Sequence, residues 1–134
     1  MRKIILLAAV ALSFTACVTT VGLVIPTGAV PLGERTVNWR ADHDAIGVGA
    51  YEGTFRSLYF VVEKNSIELF NVTVVYGNGE RERFDTRLVF NEGSRSRVLD
   101  FHGGKRIIRS IQFTYRTVGT WENGRARVVV YGVR

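Results

Sequence analysis

Disulfides are the first thing this chain cannot build. Among its 134 residues there is one cysteine, Cys17, so neither an internal cross-link nor a cysteine-rich zinc site is available. Histidine is almost as scarce, with only His43 and His102. No Gly-x-Ser-x-Gly elbow is present, which removes one sequence signature of a serine hydrolase. Gly77-Asn78-Gly79 and Gly103-Gly104 open no helix, so neither is a phosphate-cradling loop. Both read as turns. No stretch of the domain has helical apolar spacing backed by caps, and there is no internal repeat or low-complexity segment. Only two prolines occur, while apolar residues make up 46% and aromatics 11%. That balance excludes a disordered chain.

What is present begins with an export signal. Met1-Arg2-Lys3 is a positive start, Ile4 to Leu12 is an apolar run, and Ser13-Phe14-Thr15-Ala16-Cys17 follows. Basic, apolar, then small is the order of a secretory signal. Cys17 stands where a lipoprotein signal peptidase takes its acceptor. Ala16 and Thr15 fit the preceding positions, and Phe14 departs from the usual leucine. We therefore expect a lipoprotein-like signal peptide over residues 1–17 with lipid on Cys17, a tether over 18–30 and a domain over 31–134. Two other readings stay open. No charge lies between Lys3 and Glu34, so Ile4 to Ile25 could serve as an uncleaved membrane anchor, diluted by Ser13, Thr15, Thr19, Thr20 and Pro26. Cleavage after Ala29 would instead release a soluble product. All three place the domain outside the cytoplasm, in the periplasm or cell envelope, with a membrane-anchored lipoprotein of the outer membrane as the leading expectation.

Without Arg2 and Lys3, sixteen basic residues face twelve acidic ones, and fourteen of the sixteen are arginine. Such a surplus favours anionic neighbours, such as phosphorylated glycans or lipid headgroups. It is far from the dense basic footprint of a nucleic-acid binder, so no nucleic-acid partner is expected.

The domain reads as strand throughout. Thr36 to Arg40 alternates; Phe55 to Glu63 and Ile67 to Tyr76 are rich in aromatic and β-branched residues, with Lys64-Asn65 as a turn between them. Asn78-Gly79 predicts a hairpin at 77–79. Glu80 to Phe90, Ser96 to Phe101, Ile107 to Arg116 and Ala126 to Tyr131 follow, separated by Asn91–Ser94 and glycine-rich turns. Turns recurring at about ten residues predict an all-β, jelly-roll-like antiparallel β-sandwich of about seven to eight strands. Alternation places Ile111, Phe113 and Tyr115 in the core, with Ser110, Gln112 and Thr114 outward. It also sends Phe84, Leu88 and Phe90 inward, and Arg81, Arg83, Asp85 and Arg87 outward.

Certain segments carry a resemblance. They are Leu32-Gly33, Asp42-His43-Asp44-Ala45-Ile46, Val75 to Gly79, Asp100 to Ile108 and Ala126 to Gly132. With these the chain resembles, over most of the domain, a group of small exported bacterial proteins catalogued only as a domain of unknown function. The resemblance implies an exported β-sandwich and implies no reaction or cofactor.

Two groups could hold a divalent cation: Asp42-His43-Asp44, and Asp100 with His102. Against this, Asp is a common turn residue, and Asp-x-Asp lacks the further ligands of a calcium loop. Arg81, Arg83 and Arg87, with Arg95 and Arg97 brought beside them by the Asn91–Ser94 turn, form the candidate anion-binding row. The plain reading of that row is a solvated sheet edge, which Asp85 within it and Glu80 and Glu82 nearby favour. No catalytic residue is expected. The leading function is a non-enzymatic envelope module, either purely structural or binding an anionic glycan, a lipid or an envelope protein. It would be held at the membrane through its N-terminal lipid or signal segment. The alternative is a metal-dependent hydrolase built on the two Asp–His groups.

Overall fold

The computed structural model describes residues 28–134. The expected signal peptide, the expected lipidation at Cys17 and most of the expected tether lie outside the described residues. Nine strands follow one another: β1 (Ala29–Thr36), β2 (Asp42–Gly47), β3 (Thr54–Phe55), β4 (Ser57–Glu63), β5 (Ile67–Tyr76), β6 (Arg81–Phe90), β7 (Leu99–Asp100), β8 (Arg106–Thr117) and β9 (Arg127–Val133). One sheet has the order β1-β9-β4-β7 and the other β2-β8-β5-β6, with β3 continuing along β8. Every pairing is antiparallel. The molecule is therefore an antiparallel sandwich. Its strand number exceeds the expectation through β3 and β7, each two residues long, too short for a period-2 pattern to register.

The core forms where the inward residues of both sheets meet. Leu58, Phe60 and Val62 of β4 and Val128 and Val130 of β9 pack with Ile111, Phe113 and Tyr115 of β8 and Val72 and Val74 of β5. Phe60 meets Phe113 and Phe90 edge-on, at 6.1 and 5.1 Å between centroids. Such pairs add modestly to their area burial.

Three local readings need correction. The first strand is not Thr36–Arg40 but Ala29–Thr36, so it takes in the last residues assigned to the tether. Pro31 and Gly33 disguise it. They sit at a register shift against β9, on an edge strand, where a missing N–H is tolerated. Leu88 is not core but 56% exposed. Thr86 and Arg87 together oppose the single residue Phe70, and such a bulge bends its strand. The hairpin at 77–79 does form, but by another route. Gly79 N–H donates to Tyr76 O at 2.9 Å, and only Gly79 of the Asn-Gly pair has a left-handed φ, +89°. This is a turn followed by one left-handed glycine rather than two left-handed residues.

β4 and β5 are not hairpin partners. Lys64, with φ +67°, and Asn65 carry the chain across from one sheet to the other. Asn65 is 2% exposed. Its Nδ2 donates to Thr120 O at 2.8 Å and Gly124 O at 2.7 Å, and its Oδ1 accepts from Ser66 N–H at 2.9 Å. Thr120 and Gly124 belong to the connection from β8 back to β9, which crosses between the same two sheets.

Candidate functional site

At the opposite end of β5, the β5–β6 hairpin meets the 101–105 turn. Tyr76 closes β5 on the core side, 2% exposed. Its hydroxyl donates to Glu82 Oε1 at 2.5 Å, and the same oxygen accepts from His102 N–H at 2.9 Å. Phe101 packs edge-on against the Tyr76 ring at 5.4 Å. The Arg106 guanidinium lies over that ring, 3.7 Å from its centroid, a cation–π contact. Arg106 Nη2 donates to Glu80 Oε2 and to Asn78 Oδ1, and Nη1 donates to His102 O at 3.2 Å. Arg109 Nη2 donates to Gly77 O at 3.1 Å. One buried ring and one arginine thus tie together two turns that are distant in sequence.

The electrostatics follow from these contacts. Burial, then the bond to Glu82, pushes the Tyr76 hydroxyl far above its ordinary value. It stays protonated at physiological pH and supplies neither a base nor a nucleophile. The hydrogen bond from Arg106 holds the Glu80 carboxyl below its ordinary value. Both carboxylates of the cluster are therefore occupied by the protein's own donors.

Three shallow depressions ring the 101–105 turn. One of about 300 Å³ is lined by Tyr76, Glu80, Arg81, Glu82, His102 and Arg106. A second of about 330 Å³ shares Tyr76 and Arg106 and adds Thr54 and Lys105. A third of about 370 Å³ lies between Arg56, Asp100, Phe101 and Lys105. Arg56, Arg81 and Lys105 are exposed. Among the described residues no ion pair engages any of the three.

The Asp–His groups are arranged otherwise. Asp42 and Asp44 lie on the Ile46 side of β2 and His43 on the other. Asp42 accepts from Asn38 Nδ2 at 2.5 Å and from His43 N–H at 2.8 Å, which lowers its pKa, the Asn38 bond most. Asp44 accepts the Tyr115 hydroxyl at 2.9 Å. His43 Nδ1 sits 3.1 Å from Thr114 Oγ1. Asp100 pairs in the ladder opposite Ser57, and His102 contributes its backbone to the Tyr76 cluster. The strand carrying Asp42 and Asp44 is three strand steps, about 14 Å of sheet, from the strand carrying Glu82, beside which His102 sits. No group of three or more His, Cys, Asp or Glu side chains that could hold a metal ion occurs among the described residues.

The five arginines of the candidate row are divided between the sheets. Arg81 and Arg83 lie on the outer face of β6, opposite Val75 and Thr73. Arg83 is paired with Asp85 at 3.1 Å. Arg87 is exposed at the bulge. Arg95 bridges to Val61 of the other sheet, with its guanidinium 5.4 Å from the Tyr59 ring centroid, and Arg97 follows on the same segment. The Asn91–Ser94 turn crosses between layers instead of folding back within one. Tyr76, Glu80, Glu82 and Arg106, which the sequence reading did not bring together, form the best-organised polar cluster among the described residues. The only local trace of it is that two glycine turns are each followed by charged residues, Glu80-Arg81-Glu82 and Lys105-Arg106.

Fold and site together define a small two-sheet β-sandwich with a neutralised Tyr–Glu–Arg cluster at one end, beside cations that no ion pair engages among the described residues. The chain belongs to the family described as Domain of unknown function (DUF2541), which it matches over residues 5–132. No curated protein and no solved structure matches the chain.

Proposed function

We propose that this chain is an exported protein of the bacterial cell envelope, anchored by lipid on Cys17. Its sandwich serves as a non-enzymatic module that holds an anionic envelope component, a phosphorylated glycan or a lipid headgroup. The observation that carries the reading is the set Arg56, Arg81 and Lys105 around the depressions at the 101–105 turn. The nearby carboxylates of Glu80 and Glu82 are already satisfied by Arg106, Tyr76 and the His102 backbone. Against Arg56, Arg81 and Lys105 the depressions hold one further exposed carboxylate, Asp100, so a surplus of positive charge remains and an external anion relieves its self-repulsion. Of the candidate row, Arg81 belongs to this site.

Each exposed contact is weak, so affinity comes from several acting together and falls with salt as the screening length shrinks from about 10 Å at 0.1 M to about 3 Å at 1 M. Vesicles of phosphatidylglycerol and of phosphatidylcholine, and beads carrying a phosphorylated glycan, test the reading. Arg56→Glu, Arg81→Glu and Lys105→Glu should each weaken retention on the anionic supports by about two- to fivefold. The far-ultraviolet circular dichroism should not change. Retention indifferent to all three substitutions and to salt would refute the site.

A further inference from the structure

The chain's only two tryptophans meet at the Asn65 end of the sandwich. Trp39 lies in the β1–β2 connection and Trp121 in the β8–β9 connection. Their rings stack at 4.1 Å between centroids, with 27° between planes. Trp39 is half-buried, while Trp121 is 76% exposed. The exposed ring is nonetheless held in place. It opens a 3-10 turn, Trp121–Asn123. The carbonyls on either side of that turn, Thr120 O and Gly124 O, both accept from the buried Asn65 amide, and Gly124 N–H closes the turn on Trp121 O at 3.1 Å. The two connections are also fastened to each other. The hydroxyl of Thr117, 3% exposed, donates to Val37 O at 2.8 Å and accepts from Ala126 N–H at 3.2 Å. Val37 N–H donates to Ala126 O at 2.8 Å. Loops ordinarily move more than the strands they join, and these two are fixed around an aromatic surface left in water. Such ordering in advance removes a cost that binding otherwise carries.

The groups beside the rings narrow the ligand. The charges nearest to them in the chain alternate in sign, Arg40 and Asp42 beside Trp39, Glu122 and Arg125 beside Trp121. No surplus of either sign gathers there, in contrast to the 101–105 end, so nothing selects an anion. Charged residues bracketing both rings also oppose their entry into lipid. Arg125 Nη1 donates to Asn38 Oδ1 at 2.9 Å, and Asn38 Nδ2 donates to Asp42 at 2.5 Å. Oriented donors and acceptors thus stand next to a flat apolar surface. A pyranose of gluco configuration has the complementary form. Its axial C–H bonds make an apolar face that packs on the electron-rich face of an aromatic ring, and its equatorial hydroxyls point sideways toward hydrogen-bonding groups. We propose that the Trp39–Trp121 pair is a sugar-binding platform for an uncharged, β-linked glycan of gluco configuration. Trp121 stacks on one sugar ring, and Asn38 and Arg125 bond its hydroxyls. The platform lies at the other end of β5 from the anion site and uses none of its residues, so either can fail alone.

Because the chain has no third tryptophan, indole fluorescence reads this site alone. Chitotetraose or cellotetraose, added to the protein isolated from expressing cells up to about 10 mM, should shift the emission to shorter wavelength and saturate. The response should be the same at about 0.1 M and about 1 M salt, since screening acts only on charge. Trp121→Phe should retain binding, with Trp39 still reporting. Trp121→Ala should weaken it by at least about tenfold, with the far-ultraviolet circular dichroism unchanged. Arg125→Ala, which leaves both rings in place, should weaken it by about two- to tenfold. Emission unmoved by both tetraoses would overturn the proposal. Binding indifferent to both Trp121→Ala and Arg125→Ala would overturn it too. So would a response to phosphatidylglycerol vesicles in place of the sugars, which would make the pair a membrane contact.

Discussion

Asn65→Ala should be among the most damaging single changes in this domain that remove no apolar side chain. The amide links two crossings between the sheets: β4 to β5 through Asn65 itself, and β8 to β9 through Thr120 and Gly124. Truncation deletes three hydrogen bonds, at a net of about 0.5–1.5 kcal/mol each. The Thr120 carbonyl can turn to water, which trims the total, so about 1–4 kcal/mol is expected, a large share of the roughly 5–15 kcal/mol that holds a typical domain. Gly119 supplies the sharper test. A Cβ built there falls 1.6 Å from Asn65 Oδ1, so Gly119→Ala must displace the amide and should cost about as much as losing it. In the Asn65→Ala background that obstacle is gone, and the second substitution should add little. Urea unfolding of the two single variants and the double variant gives the coupling energy directly. Additive losses would mean that the glycine is needed for some reason other than the room it leaves for Asn65.

Other expectations follow from buried hydroxyls and titrating groups. Among the described residues the buried Tyr59 Oη and Thr86 Oγ1 find no hydrogen-bond partner, so Tyr59→Phe and Thr86→Val should be neutral or stabilising by up to about 1 kcal/mol; a clear loss in urea would reveal a bond made in solution. Burial, then bonds to Glu82 and Asp44, raises the Tyr76 and Tyr115 hydroxyls above their ordinary 10. The stability this represents is complete below pH 10 and is lost as pH climbs toward the folded values. Both rings should form phenolate only as the chain unfolds, and early reversible titration of Tyr76 or Tyr115, followed by near-ultraviolet absorbance or ring NMR, would disprove their burial. The bonds from Asn38 and Arg106 lower the carboxyls of Asp42 and Glu80 from their ordinary 3.8 and 4.5. Their contribution is present above those values and disappears as pH falls through the folded ones. Asp42→Asn and Glu80→Gln should therefore flatten the acid side of the stability curve, and an unchanged acid limb would show these pairs to be inconsequential.

Period-2 patterning carried the sequence reading a long way, because a half-buried strand writes its faces locally. Ile111, Phe113 and Tyr115 are core as expected, and Ser110, Gln112 and Thr114 look outward. The reading failed where the deciding contact lies far off in the chain. Nothing within Arg81–Arg97 tells that β6 belongs to one sheet and that Arg95 joins the other beside Val61. Leu88 keeps the core parity but sits past a bulge created by a mismatch with β5. The Tyr76 cluster needs residues 76–82 to meet residues 101–106, a meeting set by inter-sheet packing rather than by spacing. The two Asp–His groups were legible as composition, yet strand alternation on β2 sends His43 away from its neighbouring aspartates.

The two ends of the sandwich resolve the same difficulty in different ways. Chain crossings between sheets leave backbone carbonyls and N–H groups without ladder partners, and these must be satisfied. At the Asn65 end a neutral amide does this from inside, and no net charge results. At the Tyr76 end the task falls to Arg106 and Glu82, charged groups that must also be neutralised. Glu80 balances Arg106, and Glu82 is stabilised by the Tyr76 hydroxyl and the His102 N–H. Glu80 and Glu82 are thereby committed to structure, which leaves Asp100 as the one exposed carboxylate lining the depressions beside Arg56, Arg81 and Lys105. An excess of free cations over free anions is thus a consequence of how this end is held together, and it makes the 101–105 turn the natural place for an anionic partner. If so, Glu82→Gln should disturb folding before it disturbs binding, because it weakens the acceptor that holds Tyr76 and His102 in place. Arg81→Glu should do the reverse. Equal effects of the two substitutions on both readouts would show that structural and binding charges at this end are not separable.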